Sequence, residues 1–426
     1  MMSKTTQIHT LLLSSLLLGL PQVLADSRKD EPFDPPVALY LTWQQDPTTT
    51  MTIHWVSEGD EDESWVDYRR WDEDDAAGRS WESATGSSEP MARFSGFPVH
   101  TVELTGLEPA TTYQFRVPDG PKTFKFRTLP ADADEPIRFA AGGDTMHRQI
   151  WMERVNRVAM KYDPEFMVWG GDLAYADGRE NRRGLHRWFD WFDAIKRTMI
   201  TEEGRVVPIV VTMGNHEMRG GYYFRHDDFE QTDEWRREVA PYFYTLFSSM
   251  PGQPGYNVLD FGEYLSLVLL DSDHTNPVEG EQTDWLDEIL AEREDVPHVF
   301  PVYHVPAYPG VRDYDGDVSK GIREHWVPLF EQYGVRVAFE NHDHAYKRTN
   351  PIRDGEVAED GIVYIGDGAW GTSARSVHDE DETWYLERSE SVRHFILTTI
   401  QGDDASFRMI DEFGEKIDEY ELPKDE

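Results

Sequence analysis

From residue 34 to about residue 130, apolar and polar residues alternate with a period of two. Leu39, Leu41 and Trp43 share one face of an extended segment, as do Met51, Ile53 and Trp55. Val102 and Leu104, then Tyr113, Phe115 and Val117, then Phe124 and Phe126 repeat the pattern. It predicts short, half-buried strands joined by polar turns, an all-β sandwich over 34–130. A polar linker, Ala131-Asp132-Ala133-Asp134-Glu135-Pro136, follows. Beyond it, apolar runs at 137–141, 166–169, 206–212, 264–270, 298–303 and 335–339 alternate with helix-like segments at 150–162, 185–200, 282–294 and 321–333. Further strands are expected at 361–365, 395–400 and 406–410. The chain thus reads as multi-domain, its second domain spanning 136–424 as an α/β unit with a β core flanked by helices.

The first residues follow a different rule. Met1 to Lys4 precede an apolar run from Leu11 to Leu20, and Val23-Leu24-Ala25 stand before Asp26. A basic start, an apolar stretch and a small-residue site are the parts of a signal peptide, so 1–25 is expected to be removed after Ala25 and the product to be periplasmic or secreted. The run is too short to span a bilayer, and no later stretch approaches ~18 apolar residues, so no membrane insertion is expected.

Composition narrows the chemistry. With 426 residues, 39% of them hydrophobic and 13% aromatic, the chain can bury a sizeable core. A net charge of −40 makes nucleic acid an unfavourable partner. With no cysteine there is no disulfide, no thiolate zinc site and no Cys nucleophile, so any metal must be held by nitrogen and oxygen donors.

Candidate chemistry sits after the predicted strands of the second domain. Asp144 follows the first, Asp172 the second, Asn215-His216-Glu217 the third, His304 the fifth and His342-Asp343-His344 the sixth. Ligands bind at the carboxyl ends of strands in such sheets, so residues two hundred positions apart can converge. Singly, each has a plain structural role: Asp144 or Asp172 as a helix N-cap, Tyr175 as a buried aromatic, His342 and His344 on one face of an edge strand. Together, two carboxylates, an amide oxygen and three imidazoles suit transition metals and are too many for a single zinc ion. A dinuclear centre is the reading. Residues 147–197 carry ten cations against eight carboxylates, a local excess of +2 that favours an anion or reflects a solvated helix face.

The motifs Gly143-Asp144, Gly171-Asp172-Leu173-Ala174-Tyr175, Gly214-Asn215-His216-Glu217, His304-Val305-Pro306-Ala307-Tyr308 and His342-Asp343-His344, in this order and after a β sandwich, resemble the purple acid phosphatases of the calcineurin-like metallophosphoesterase superfamily. Leu107-Glu108-Pro109 followed by Tyr113 resembles the tyrosine corner of fibronectin type III domains. The resemblance implies that Asp144, Asp172, Tyr175 and His344 hold Fe(III). It gives Asp172, Asn215, His304 and His342 a divalent ion (Zn, Fe or Mn), with Asp172 bridging. It further implies an acid phosphatase in which hydroxide on the metals attacks a small phosphorylated substrate in line, with His216 protonating or stabilising the leaving alkoxide. A His216 bonded to a carboxylate in a structural role is the alternative.

Three positions depart from the family pattern. Met146-His147 stands where a Gly follows Asp144 by two residues, and His147 reads as a surface histidine. Asn341 replaces a Gly before His342, tolerable if its backbone is left-handed, and Pro301 stands where Val is usual. The family's additional histidines after His304 are missing, because 310–317 reads Gly-Val-Arg-Asp-Tyr-Asp-Gly-Asp. Competing readings are a phosphodiesterase or nucleotidase of the same superfamily and a non-catalytic extracellular binding protein.

Overall fold

The computed structural model describes residues 36–59, 63–72, 80–118, 120, 122–221, 232–247 and 255–423, which lie in one compact unit. The expected signal segment, 1–25, lies outside them. Among the described residues no helix is long and apolar enough to cross a membrane.

The period-two segments form two antiparallel sheets. One orders its strands Ala38–Thr42, Met51–Val56, Phe94–Leu104 and Ser87–Met91; the other orders Glu82–Thr85, Trp65–Arg70, Thr112–Arg116 and Phe124–Arg127. The Tyr113 hydroxyl accepts the Glu108 N–H at 2.9 Å, tying its strand back to the preceding turn.

The expectation of half-buried strands fails for two strands of the first sheet, Ala38–Thr42 and Met51–Val56, which are buried on both faces. The reason is tertiary: the alternate face is covered by the second domain. Tyr40 stacks on Phe192 at 5.0 Å and donates to the Leu246 carbonyl at 2.6 Å. His54 stacks on Tyr40, and burial lowers its pKa to about 3, so it is neutral and bonds Thr42 at 2.8 Å. Trp43 sits edge-on to Phe166 at 5.9 Å and to Phe261 at 5.8 Å.

The second domain holds two mixed sheets. The six-stranded sheet runs Ile209–Val211, Phe166–Trp169, Ile137–Gly142, His394–Gln401, Asp404–Asp411, Lys416–Glu421, its first three strands parallel. The seven-stranded sheet runs Asn257–Phe261, Leu265–Leu269, His298–Val302, Val337–Glu340, Val363–Gly366, Tyr346–Thr349, Leu386–Glu390, with a parallel core from the second to the fifth strand. The sheets face each other through Phe139 against Phe339 at 6.2 Å and Phe407 against Phe300 at 5.7 Å.

Helices cover the outer faces. In Arg182–Thr198, buried Leu185, Trp188, Trp191, Phe192 and Ile195 form an apolar stripe at helical spacing, and Asn181 caps the start by accepting the Gly184 N–H at 3.1 Å. The segment expected as one helix over 321–333 is two, Asp317–His325 and Val327–Gln332, because Pro328 cannot supply an N–H inside a continuous helix and instead begins a new one. Pro301 lies where the ladder between His298–Val302 and Val337–Glu340 shrinks to the single pair Val302 and Phe339, so its missing N–H costs little.

Because Trp43 is buried against Phe166 and Phe261 of the second domain, Trp43→Ala is expected to destabilise the whole chain by about 3–5 kcal/mol, as for large aromatic truncations in cores. Urea unfolding followed by tryptophan fluorescence and by circular dichroism should show one coincident transition; two separated transitions would contradict the coupling.

Candidate metal centre

The predicted residues meet at the carboxyl ends of parallel strands from both sheets. Ile137–Gly142 leads to Asp144, Phe166–Trp169 to Asp172 and Tyr175, and Ile209–Val211 to Asn215 in a short 3-10 turn. From the other sheet His298–Val302 leads to His304, and Val337–Glu340 to His342 and His344. Two groups of ligand atoms each lie within 4.8 Å of one another: Asp172, His304 and His342, and Asp144, Asp172 and His344. Asp172 belongs to both.

Around the Asp144, Asp172 and His344 group, Tyr175 Oη is 2.8 Å from Asp144 Oδ1 and 3.1 Å from His344 Nε2, which itself lies 2.9 Å from Asp144 Oδ1. In the other group, His304 Nε2 lies 3.3 Å from Asp172 Oδ2 and 2.9 Å from His342 Nδ1. His304 Nδ1 is 2.7 Å from the Gly170 carbonyl, which can only accept. The proton therefore sits on Nδ1, and the lone pair on Nε2 faces the other two donors.

These atoms fit metal ions. Asn215 donates through Nδ2 to the Gly221 carbonyl at 2.8 Å, while its buried Oδ1 has no hydrogen-bond partner among the described residues. A buried acceptor without a donor in the loop that follows a ligand-bearing strand fits a cation. The electrostatics agree. Burial opposes charge on His304, yet Asp172 and Asp144 outweigh it and raise its pKa to about 9. Burial also works against the Asp172 carboxylate, but His304 and His216 hold its pKa well below the usual range. Burial and the Asp144 and Asp172 carboxylates push the Tyr175 phenol well above its ordinary value, so only a strong cation would make it a phenolate.

The backbone is strained where these side chains leave it. Asp144, Asp172, Tyr175, His342 and His344 have φ of 56°, 53°, 52°, 79° and 60°, left-handed values costing non-glycine residues on the order of 1–2 kcal/mol each. This geometry removes the bland readings. Asp144 is not a cap, since the following helix starts at Gln149 with Arg148 before it, and the two histidines lie in a turn rather than on an edge strand. At Gly368, φ 59°, a Cβ would lie 1.9 Å from Asp144 Oδ2, so the loop can approach the carboxylate only without a side chain.

A second layer holds the strained loops, and sequence reasoning passed over most of it. Glu217 accepts N–H groups from Asp172 at 2.8 Å, Leu173 at 2.9 Å and Gly214 at 2.9 Å, and burial beside Asp172 raises its pKa to about 8. Asp177 bonds His216 Nδ1 at 2.5 Å. Buried Lys347 contacts Glu340, Asp367 and the Tyr308 carbonyl, while Glu340 accepts from Tyr303 and from the Ala307 N–H, both at 2.6 Å. Glu217 and Asp343 were visible only as neighbours of ligands; Lys347, Glu340 and Asp367 carried no motif.

One expectation needs correction, and two others gain detail. Asn341 has no left-handed backbone; its side chain donates to the Tyr303 carbonyl at 2.9 Å and fills space against Gly143 and Gly170, where added Cβ atoms would sit 2.5 and 1.8 Å from it. His147 is exposed as expected, yet its ring packs edge-on to Tyr175 at 4.3 Å and to His344 at 5.2 Å, at the rim of the centre. Of the cations of 147–197, Arg157 pairs with Glu153, Arg197 with Asp193, Arg179 with Asp177 and Arg154 with Glu412, which supports the solvated face over an anion site for these four. Arg187 is different: it binds the carbonyls of Ala174, Met146 and His147, bracing both metal loops.

Comparison with known proteins agrees with this architecture. Residues 36–128 match the purple acid phosphatase N-terminal domain, and residues 137–346 match the calcineurin-like phosphoesterase family. Purple acid phosphatase 18 of Arabidopsis thaliana is 28% identical over 369 residues, 83% of this chain and 77% of that protein. The structure of purple acid phosphatase PPD1 from yellow lupin seeds superposes with a TM-score of 0.72 at 17% identity, covering 90% of this chain and 73% of the lupin chain. PhoD superposes with a TM-score of 0.63 at 13% identity, covering 92% of this chain and 94% of its own. The two superpositions show a shared fold. The chain belongs to the purple acid phosphatases, within the calcineurin-like metallophosphoesterase superfamily.

Glu217→Gln keeps the shape but has one acceptor oxygen for three N–H groups. It is expected to fold and to weaken metal retention by about 10- to 100-fold, the usual effect of removing a partner behind the ligands. Metal content after dialysis against a graded chelator measures this; unchanged retention would contradict the role.

Proposed function

We propose that this protein is an exported phosphomonoesterase with a dinuclear centre of Fe(III) and a divalent ion. The observation that carries the reading is the pair of donor groups sharing Asp172, with Tyr175 on one side and the orphaned Asn215 oxygen beside the other. On this reading Asp144, Asp172, Tyr175 and His344 hold the ferric ion, and Asp172, Asn215, His304 and His342 hold the divalent one. Bound there, two cations supply a clamp for phosphoryl oxygens, a lowered pKa for water and neutralisation of charge on the attacking and leaving oxygens.

The protein's own groups do the rest. Asp172 Oδ1 accepts the His216 N–H at 2.7 Å, which sets the backbone of the next loop against the bridging carboxylate. Asp177 holds Nδ1 of His216, and Nε2 lies 3.9 Å from Asp172 Oδ2 on a side chain 31% exposed. A ring fixed at one nitrogen, with the other nitrogen near the shared carboxylate on a partly exposed side chain, supports a role in handing a proton to a leaving alkoxide. Tyr175 packs against the same ring at 4.3 Å, tilted by 39°, and limits its turning. Export rests on the segment before Asp26, so the mature protein is expected to start there by N-terminal sequencing.

The direct test is hydrolysis of a chromogenic phosphomonoester beside the matching diester; preference for the diester would favour the phosphodiesterase reading. The oxidised protein should contain iron and be coloured by phenolate-to-iron charge transfer. Tyr175→Phe should bleach it and leave partial activity, whereas a colourless, iron-free and fully active wild type would refute the ferric assignment. His216→Ala should keep both metals and slow turnover by ~10²–10⁴-fold, less so for good leaving groups, which need less protonation. Equal losses on good and poor leaving groups would assign His216 a positioning role.

A further inference from the structure

Beside the metal centre stands one imidazole that belongs to neither group of converging ligand atoms, His147, three residues after Asp144. Its ring packs edge-on to Tyr175 with centroids 4.3 Å apart and to His344 at 5.2 Å, the two side chains that face Asp144 Oδ1. Tyr175 also contacts the His216 ring at 4.3 Å, so one phenol carries two imidazoles. The His147 backbone is fixed. Its N–H donates to the Gly371 carbonyl at 2.9 Å, the Gly371 N–H donates to the Asp144 carbonyl at 3.0 Å, and Arg187 Nη1 donates to the His147 carbonyl at 3.3 Å. A Cβ at Gly371 would lie 1.8 Å from the Thr145 carbonyl oxygen, so this bracket closes only over a glycine. The residue is nevertheless exposed, and among the described residues neither ring nitrogen is engaged in a hydrogen bond or ion pair. An ordinary surface histidine has no fixed orientation. This one is held at both backbone groups and against two side chains of the centre, with its nitrogens uncommitted.

We propose that His147 donates a hydrogen bond to a phosphoryl oxygen of the bound substrate, on the side of the centre built by Asp144, Tyr175 and His344. An imidazole carries at least one N–H donor in either protonation state, so the role does not depend on its charge. Oxygens of a phosphate group that the cations do not take need donors, and a bond to an anionic oxygen is among the stronger ones. The fixed ring loses little rotamer freedom when it makes that bond. The two imidazoles on Tyr175 thus divide the substrate: His216 serves the leaving oxygen, and His147 serves the oxygens that stay on phosphorus. The role rests on the phosphatase reading of the centre and adds a residue that holds the phosphoryl group.

The test uses full-length, metal-loaded protein, with inorganic phosphate as probe in calorimetry, metal content and the visible band measured in parallel, and kcat/KM on chromogenic monoesters with good and poor leaving groups. His147→Phe keeps a ring against Tyr175 and His344 and removes both nitrogens. It is expected to keep both metals and the band and to weaken phosphate binding by about 10- to 100-fold, the scale of a hydrogen bond to a charged group. It should lower kcat/KM by a similar factor on both kinds of ester, because the phosphoryl group is common to them. His147→Gln, which restores an N–H donor, should recover part of both. Unchanged phosphate affinity in His147→Phe would overturn the proposal. So would loss of metal or a shifted band, because the ring would then serve Tyr175 and His344 rather than the substrate. A loss that grows with poor leaving groups would overturn it too, because the imidazole would then act on the leaving oxygen. A wild type that binds no phosphate and cleaves no ester would instead sink the phosphatase reading, and this role with it.

Discussion

Everything at the centre follows from acceptors buried against one another without enough donors. Asp144 and Asp172, fully buried, face the three imidazoles of His304, His342 and His344. Left to itself such a group recruits protons, as the elevated pKa of His304 records, and its carboxylates would repel. Two cations resolve the conflict, and the fold is arranged so that only they can, because the neighbouring loops have already spent their N–H groups on Glu217 and Asp343.

The strain in the ligand loops has the same origin. Five residues with left-handed backbone cannot be maintained by local preference, so each loop is tied to another. Glu217 joins the second loop to the third, Asp144 Oδ2 accepts the His342 N–H at 2.8 Å and joins the first to the last, and the Lys347 cluster steadies the chain after His304. The two facing sheets bring these loop pairs within reach and resist their separation.

The N-terminal domain belongs to the same argument although the ligand groups draw nothing from it. Its first sheet buries Tyr40, His54 and Trp43 against the helix Arg182–Thr198 and the strand Phe166–Trp169. That helix carries Arg187, and that strand leads to Asp172. Packing between domains therefore bears on the elements that position the centre.

Much of this was legible along the chain. Strand-end placement of Asp144, Asp172, Asn215, His304, His342 and His344 follows from periodicity, because an apolar run ending in a polar donor means the same in any α/β sheet. The limits of most strands and helices follow from local pattern as well. The covered outer face of the first sheet was hidden, since Tyr40, Thr42, Thr52 and His54 look like solvent-facing residues until another surface lies on them. Asn341 misled because its side chain, not its backbone, does the work, and the continuous 321–333 helix because propensity outweighed Pro328. Asp177 and Asp343 have no spacing that marks them. Their roles depend on which loop lies opposite, and that is decided only when two sheets pack and distant loops share one buried, charge-rich volume. Sequence alone thus determined the candidate donors and their order; the tertiary structure decided which atoms converge, because convergence is a property of packing between segments and not of any segment by itself.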